Sequence, residues 1–122
     1  MKLIKFKDAL VQKRPDGRTI LKLITQNLKF EFSSMQILYV VHPSNFKEDL
    51  HFHSKSYEAL LFLDNAKWEI NGQTFNLEKD DILIFEPRDI HGGLPVENEV
   101  RLWIFQNPAI IDDKIVIKKM AG

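Results

Sequence analysis

Short apolar runs, broken by turn residues at intervals of about ten positions, restrict this chain more than any other feature, because that rhythm belongs to antiparallel β structure. "RPDGR" from Arg14 to Arg18 is a turn with a mechanism, since proline presets φ and Asp-Gly tolerates the left-handed region. "TILKLIT" follows, and then "KFEF", where Phe30 and Phe32 alternate with Lys29 and Glu31. "MQILYVV" from Met35 to Val41 is apolar on both faces, which predicts a central, covered strand. Pro43 to Asp49 reads as a polar loop. His51 to His53 opens a new strand, and "EALLFL" comes after a short break. In "KWEINGQTF", Asn71-Gly72 lies between two runs of strand formers, the strongest short signal for a type I′ hairpin. "ILIFE" from Ile82 to Glu86 is a further buried strand stopped by Pro87, and "VRLWIFQ" from Val100 to Gln106 ends at Asn107-Pro108. The tail "IDDKIVIKKM" suits either a short strand or an edge extension. Long helical periodicity and internal repeats are absent. The expectation is an all-β antiparallel sandwich or barrel.

The chain has 122 residues, which fits one domain over 1–122 and allows a core without staples. It has no cysteine, so thiolate metal sites and disulfides are excluded. Lys plus Arg and Asp plus Glu number 17 each, so the basic footprint of a nucleic-acid binder is missing. The opening "MKLIKFKDALVQKRPDG" lacks the apolar stretch of a signal peptide, and no run approaches a membrane span. The expectations are a cytoplasmic protein and no nucleic-acid or membrane partner.

Two of the four histidines, His51 and His53, stand one residue apart. In a strand, residues i and i+2 share a face with Cα atoms roughly 6.5 to 7 Å apart, so both imidazoles can close on one ion. Glu58 follows at a distance that lets the chain turn and return a carboxylate from the neighbouring strand. His91 comes after the "ILIFEPRDI" strand and turn. Three neutral nitrogens and one hard oxygen suit Fe(II), Mn, Ni, Cu or Zn, with positions open for water or substrate. His42, in "VVHPSN", has no such company and reads as structural or surface. If Glu58 points inward, Leu60 and Phe62 share its face. Trp103 and Phe105 share a face on the last strong strand. Asp80-Asp81 and Asp112-Asp113 read as exposed turns. Glu69, Glu86 and Arg101 are the candidates for a further acid or base inside the barrel.

These residues resemble the two motifs of the cupins. The first cupin motif is Gly, five residues, His-x-His, three or four residues, Glu, six residues, Gly. Asn45 stands in its first glycine place, His51-Phe52-His53 and Glu58 follow in register, and Asn65 takes the second glycine place, so the motif spans 45–65. The second motif, a Gly-Asp turn, an apolar strand, a proline turn and a histidine, is matched over 80–91 by "DDILIFEPRDIH". Asp80 and Arg88 occupy glycine places there, which puts the shape of those loops in question. Asparagine tolerates positive φ best among non-glycine residues, so Asn45 and Asn65 are expected to preserve their turns. The resemblance implies a cupin-type antiparallel β-barrel, or double-stranded β-helix (jelly roll), with a divalent transition metal on His51, His53, Glu58 and His91. It also implies oxygenase, isomerase or epimerase activity on a small molecule, without distinguishing among them.

The segment from His53 to Gly93 is also similar to the sugar-sensing cupin domain of arabinose-type transcription activators, where the barrel binds a small ligand and a helix-turn-helix follows. No such DNA-reading part is expected here. That likeness fits a free-standing sensor-like cupin or shared barrel background, and background is the favoured reading. Beside an enzyme, the other functional readings are a non-catalytic small-molecule binder whose metal site is vestigial or structural, and a storage-type or purely structural barrel. The resemblance, together with apolar strands such as "TILKLIT" that a small barrel does not cover alone, also leads to the expectation of a homodimer.

Overall fold

The computed structural model describes residues 1–23, 34–110 and 112–117. Twelve strands are present among these: β1 (Lys2–Ile4), β2 (Leu10–Lys13), β3 (Thr19–Lys22), β4 (Gln36–His42), β5 (His51–His53), β6 (Tyr57–Phe62), β7 (Ala66–Ile70), β8 (Gln73–Leu77), β9 (Ile82–Phe85), β10 (His91–Gly93), β11 (Val100–Asn107) and β12 (Lys114–Val116). One 3₁₀ turn, Phe6–Asp8, joins β1 to β2. "KFEF" lies outside the described residues. Two five-stranded antiparallel sheets form, in the orders β1-β9-β6-β11-β4 and β12-β5-β10-β7-β8, and β2 and β3 make a separate hairpin. The fold is the all-β antiparallel jelly roll that the sequence implied, and the tail supplies a short edge strand, β12, on β5.

Alternation decides which side chains enter. Along β6, Glu58, Leu60 and Phe62 are buried while Tyr57, Ala59 and Leu61 are only half-buried. The opposite sheet contributes Trp68, Ile70 and Leu77, and Phe62 meets the Trp68 ring edge-on at 5.1 Å. Burying a large apolar side chain of this kind contributes about 1.5–3 kcal/mol, so Phe62, Leu83 and Leu102 anchor the two sheets against each other.

The turns follow their residues. Ile70 pairs with Gln73 across a two-residue loop in which Asn71 and Gly72 both have positive φ, 48° and 82°, as a type I′ turn requires. "RPDGR" closes β2 on β3, with Gly17 at φ 97°. Asn45 adopts φ 60°. Asn65 does not take a positive φ; its side-chain carbonyl instead accepts the Lys79 N–H at 2.8 Å, so its turn is held by a side-chain cap. Asp80 and Arg88 both sit at φ 74°, so these two loops keep the glycine shape without glycine, and the Arg88 N–H donates to the His53 carbonyl.

Three expectations require correction. β4 is not a central covered strand: among the described residues it ends its sheet, with Ile37, Tyr39 and Val41 exposed on the outside. An apolar run on both faces signals that both faces meet something apolar, and here one of those faces lines a cavity. Asp81 and Asp113 are buried, not exposed; only their neighbours Asp80 and Asp112 are turn residues with positive φ. Asp81 accepts hydrogen bonds from the Glu78 and Phe6 N–H groups and from Lys5, tying the turn before β9 to the N-terminal segment. Finally, none of Glu69, Glu86 and Arg101 lines the central cavity. Arg101 points outward into a two-pronged ion pair with Asp64, at 2.9 and 3.0 Å.

Candidate metal centre

Short strands and one close pairing build the site. β5 sends His51 and His53 to the inner face and Phe52 the other way. β10 pairs with β5 so that His91 lies directly opposite His51, and their ring centres are 4.4 Å apart. Glu58 arrives from β6 in the facing sheet, not from a strand neighbouring β5 as the spacing alone suggested. One ligand atom from each of His51, His53, Glu58 and His91 lies within 4.8 Å of the others, and the four residues are only 2 to 9% exposed.

Hydrogen bonds orient two of the rings. His51 Nδ1 is 3.0 Å from the Asp49 carbonyl and His91 Nδ1 is 2.9 Å from the Asp89 carbonyl. A carbonyl oxygen only accepts, so each Nδ1 carries the proton and each Nε2 keeps a lone pair, the arrangement that fixes a metal-ligating tautomer. Phe85 stacks flat on the His91 ring at 3.8 Å and holds its plane. Glu58 Oε1 lies 3.0 Å from His53 Nε2 and 3.3 Å from His91 Nε2, yet it has no hydrogen-bond partner. Lone pairs from nitrogen and oxygen therefore converge on one buried point, and a cation satisfies them together. Among the described residues this donor set fits a divalent metal.

The electrostatics agree with that reading. Burial pushes the Glu58 carboxyl up, but the His53 and His91 imidazoles beside it more than reverse this and hold it at about 2. Burial lowers the His51 imidazole, the Asp49 carbonyl opposes the shift, and the nearby His91 adds to it, so His51 favours the neutral form that a metal needs.

Asp113 shapes the loop between His53 and Glu58. Its carboxylate accepts from Ser54 Oγ, from the Lys55 N–H at 3.1 Å and from the Ser56 N–H at 2.9 Å. These donors lower its pKa to about 2 against the upward push of burial.

The ligand cluster opens into a cavity of about 400 Å³, within the usual range for a small-molecule site. Leu38 and Val40 of β4, Leu60 of β6, and Leu102 and Ile104 of β11 form an apolar wall. Gln36 and Gln106 hydrogen-bond to each other across β4 and β11 on the same wall. Trp103 and Phe105 take the opposite face of β11, and Trp103 packs edge-on against Tyr39 outside. His42, expected to be structural or surface, also lines this cavity. Its place on β4 was readable, but nothing local indicated what it would meet.

No protein-family model matches the chain, and no curated protein does. Solved structures do. The DMSP lyase DddQ from Ruegeria pomeroyi DSS-3 is similar with a TM-score of 0.62 at 14% identity, over 68% of this chain and 43% of that one. An uncharacterized conserved protein with a double-stranded β-helix domain, from Klebsiella pneumoniae, gives 0.63 at 16% identity over 75% and 81%. A Cupin 2 conserved barrel domain protein from Salinispora arenicola CNS-205 gives 0.57 at 14% over 70% and 72%. The chain thus spans less than half the length of the lyase. Likeness at this identity establishes the fold, a double-stranded β-helix like that of these structures. No helix among the described residues is long and apolar enough to cross a membrane.

Proposed function

We propose that this chain holds one divalent transition metal through His51, His53, Glu58 and His91, and that it binds and acts on a small polar organic molecule in the adjoining cavity. The observation that carries this reading is Glu58 Oε1, buried among imidazole nitrogens with no hydrogen bond of its own. A divalent ion there supplies Lewis acidity toward an oxygen of the bound molecule, and four protein ligands leave about two positions of an octahedral ion free for it. The apolar wall excludes water and so strengthens polar contacts beside the ion. The lyase among the similar folds supports catalysis over binding alone, although one scaffold carries many chemistries. The test is elemental analysis after loading with Mn, Fe(II), Co, Ni, Cu or Zn. The parent should take up about one ion per chain and His53→Ala far less. Equally weak uptake by both sinks the proposal.

The same reading includes a homodimer. Leu10, Val11 and Leu21 on the β2–β3 hairpin and Ile37, Tyr39 and Val41 on β4 are exposed, apolar area of the kind a second copy covers. Light scattering at micromolar concentration should give twice the chain mass; a single-chain mass removes the dimer.

A further inference from the structure

His42 sits in the cavity without a task in the metal centre. It is 8% exposed, and its ring is pinned by three neighbours. Trp68 stacks on it at 5.3 Å and 18°, and Phe46 meets it edge-on at 4.9 Å. Gly93 underlies it so closely that a Cβ there would come within 2.9 Å of the imidazole Cε1 and Nδ1. Glycine at 93 is therefore what seats the ring. Neither ring nitrogen is among the buried polar atoms that lack a partner, as fits an imidazole whose edge reaches the open cavity. The position of Gly93 also places the ring. His91 and Gly93 are i and i+2 on β10, so they share a face with Cα atoms roughly 6.5 to 7 Å apart. His42 thus stands about one strand repeat from the ligand cluster, on the wall of the same cavity.

We infer that His42 is a second working residue of this pocket: it contacts a hydroxyl group of the molecule held at the ligand cluster and takes its proton. The inference rests on the metal-binding reading above and adds a substrate class, a small hydroxylated molecule such as an alcohol, enol or phenol. In the transfer, the O–H bond breaks, its electron pair stays on the substrate oxygen, and the proton bonds to the imidazole lone pair. No oxidant or reductant is required, and the reverse step returns the proton. Burial lowers the His42 pKa, Glu48 acts in the opposite direction and Lys114 in the same one, so the ring is a neutral base that gains a counter-charge from Glu48 once protonated. Asp112 and Asp113 also line the cavity, so the negative charge around it favours an uncharged hydroxyl compound over a multiply anionic one. Glu48 is itself anchored, accepting the Gly93 N–H at 3.1 Å.

The test uses zinc-loaded protein and catechol as the probe, with calorimetry in two buffers of different ionisation enthalpy to count protons released on binding. His42→Phe keeps a ring for Trp68 and Phe46 to pack on and removes both nitrogens; His42→Gln keeps polarity but cannot take up a proton. Both variants should bind zinc as the parent does. Both should release up to about one more proton per catechol bound, and His42→Phe should bind catechol about tenfold more weakly, as expected for one lost hydrogen bond. Parent-like affinity and proton count in both variants would show that His42 only packs. Zinc binding by the parent without catechol binding, or loss of zinc or of folding in both variants, also overturns the inference. Failure of the parent to bind zinc is a different outcome, and it overturns the metal site itself.

Discussion

Glu58 and Asp113 are two buried carboxylates beside the loop at 54–56, one following it on β6 and one reaching it from the segment before β12, and both are held at about 2, but by different surroundings. Asp113 is enclosed by a hydroxyl and two backbone N–H groups, fixed donors that satisfy it permanently. Glu58 Oε1 faces two imidazole nitrogens and has no hydrogen bond at all. A low carboxyl pKa therefore does not by itself mark a working group. What separates them is satisfaction: Asp113 is complete within the chain, whereas Glu58 is completed by something from outside. The first holds the loop that presents His53 and Glu58, and the second is presented by it.

The sharpest way to break this comparison is Glu58→Gln. Losses of supporting residues around metal ligands typically cost 10–100-fold, so loss of the ligand itself should weaken metal binding by at least about 100-fold in a chelator competition. The metal-free variant should melt only slightly below the parent, because the amide keeps the shape of the carboxylate and its NH2 can still meet the imidazole nitrogens beside it. A variant that melts well below the parent without metal would show that Glu58 is as structural as Asp113.

Asp113→Asn is the converse, with a smaller effect. Replacing a charged acceptor of three hydrogen bonds should cost about 2 kcal/mol in urea unfolding of chelator-treated protein. The folded pKa is depressed, so this stability is fully present above the unfolded carboxyl value of 3.8 and is lost as pH falls toward about 2. The difference between parent and variant should accordingly shrink across that window. A constant difference from pH 6 to pH 2 would mean that the carboxylate charge is not what holds the loop.

The smallest effect belongs to the outer surface. Arg101→Ala breaks a two-pronged pair with Asp64, but that pair is solvated, so the melting temperature should barely move and metal affinity should be unchanged. A measurable change in metal binding would show coupling between the outer face of β11 and the cavity.

Much of the fold was legible because it is written in neighbouring residues. Asn71-Gly72 specifies its hairpin from two positions, and the alternation in "YEALLF" sorts Glu58, Leu60 and Phe62 inward. The burial of Asp81 and Asp113 was not legible, since an Asp-Asp pair looks the same whether its second member is solvated or clamped by a distant segment. Lys5 and Phe6 reach Asp81 from the N-terminus, and Ser54 to Ser56 reach Asp113 from the end of the neighbouring strand β5, far away in sequence. Nor was the edge position of β4, because apolar side chains lining a cavity and apolar side chains in a core have one signature.

The sequence by itself determined the strands, their turns and the pairing of His51 with His53 on one face, since a period of two and the φ preference of a turn residue are local properties. Tertiary structure alone decided that Glu58 crosses from the facing sheet, that His91 stands opposite His51, and that His42 rests on Gly93 beside them. Those distances depend on which strands pair and in which register, and register is set by the packing of whole faces, to which each residue contributes only a part.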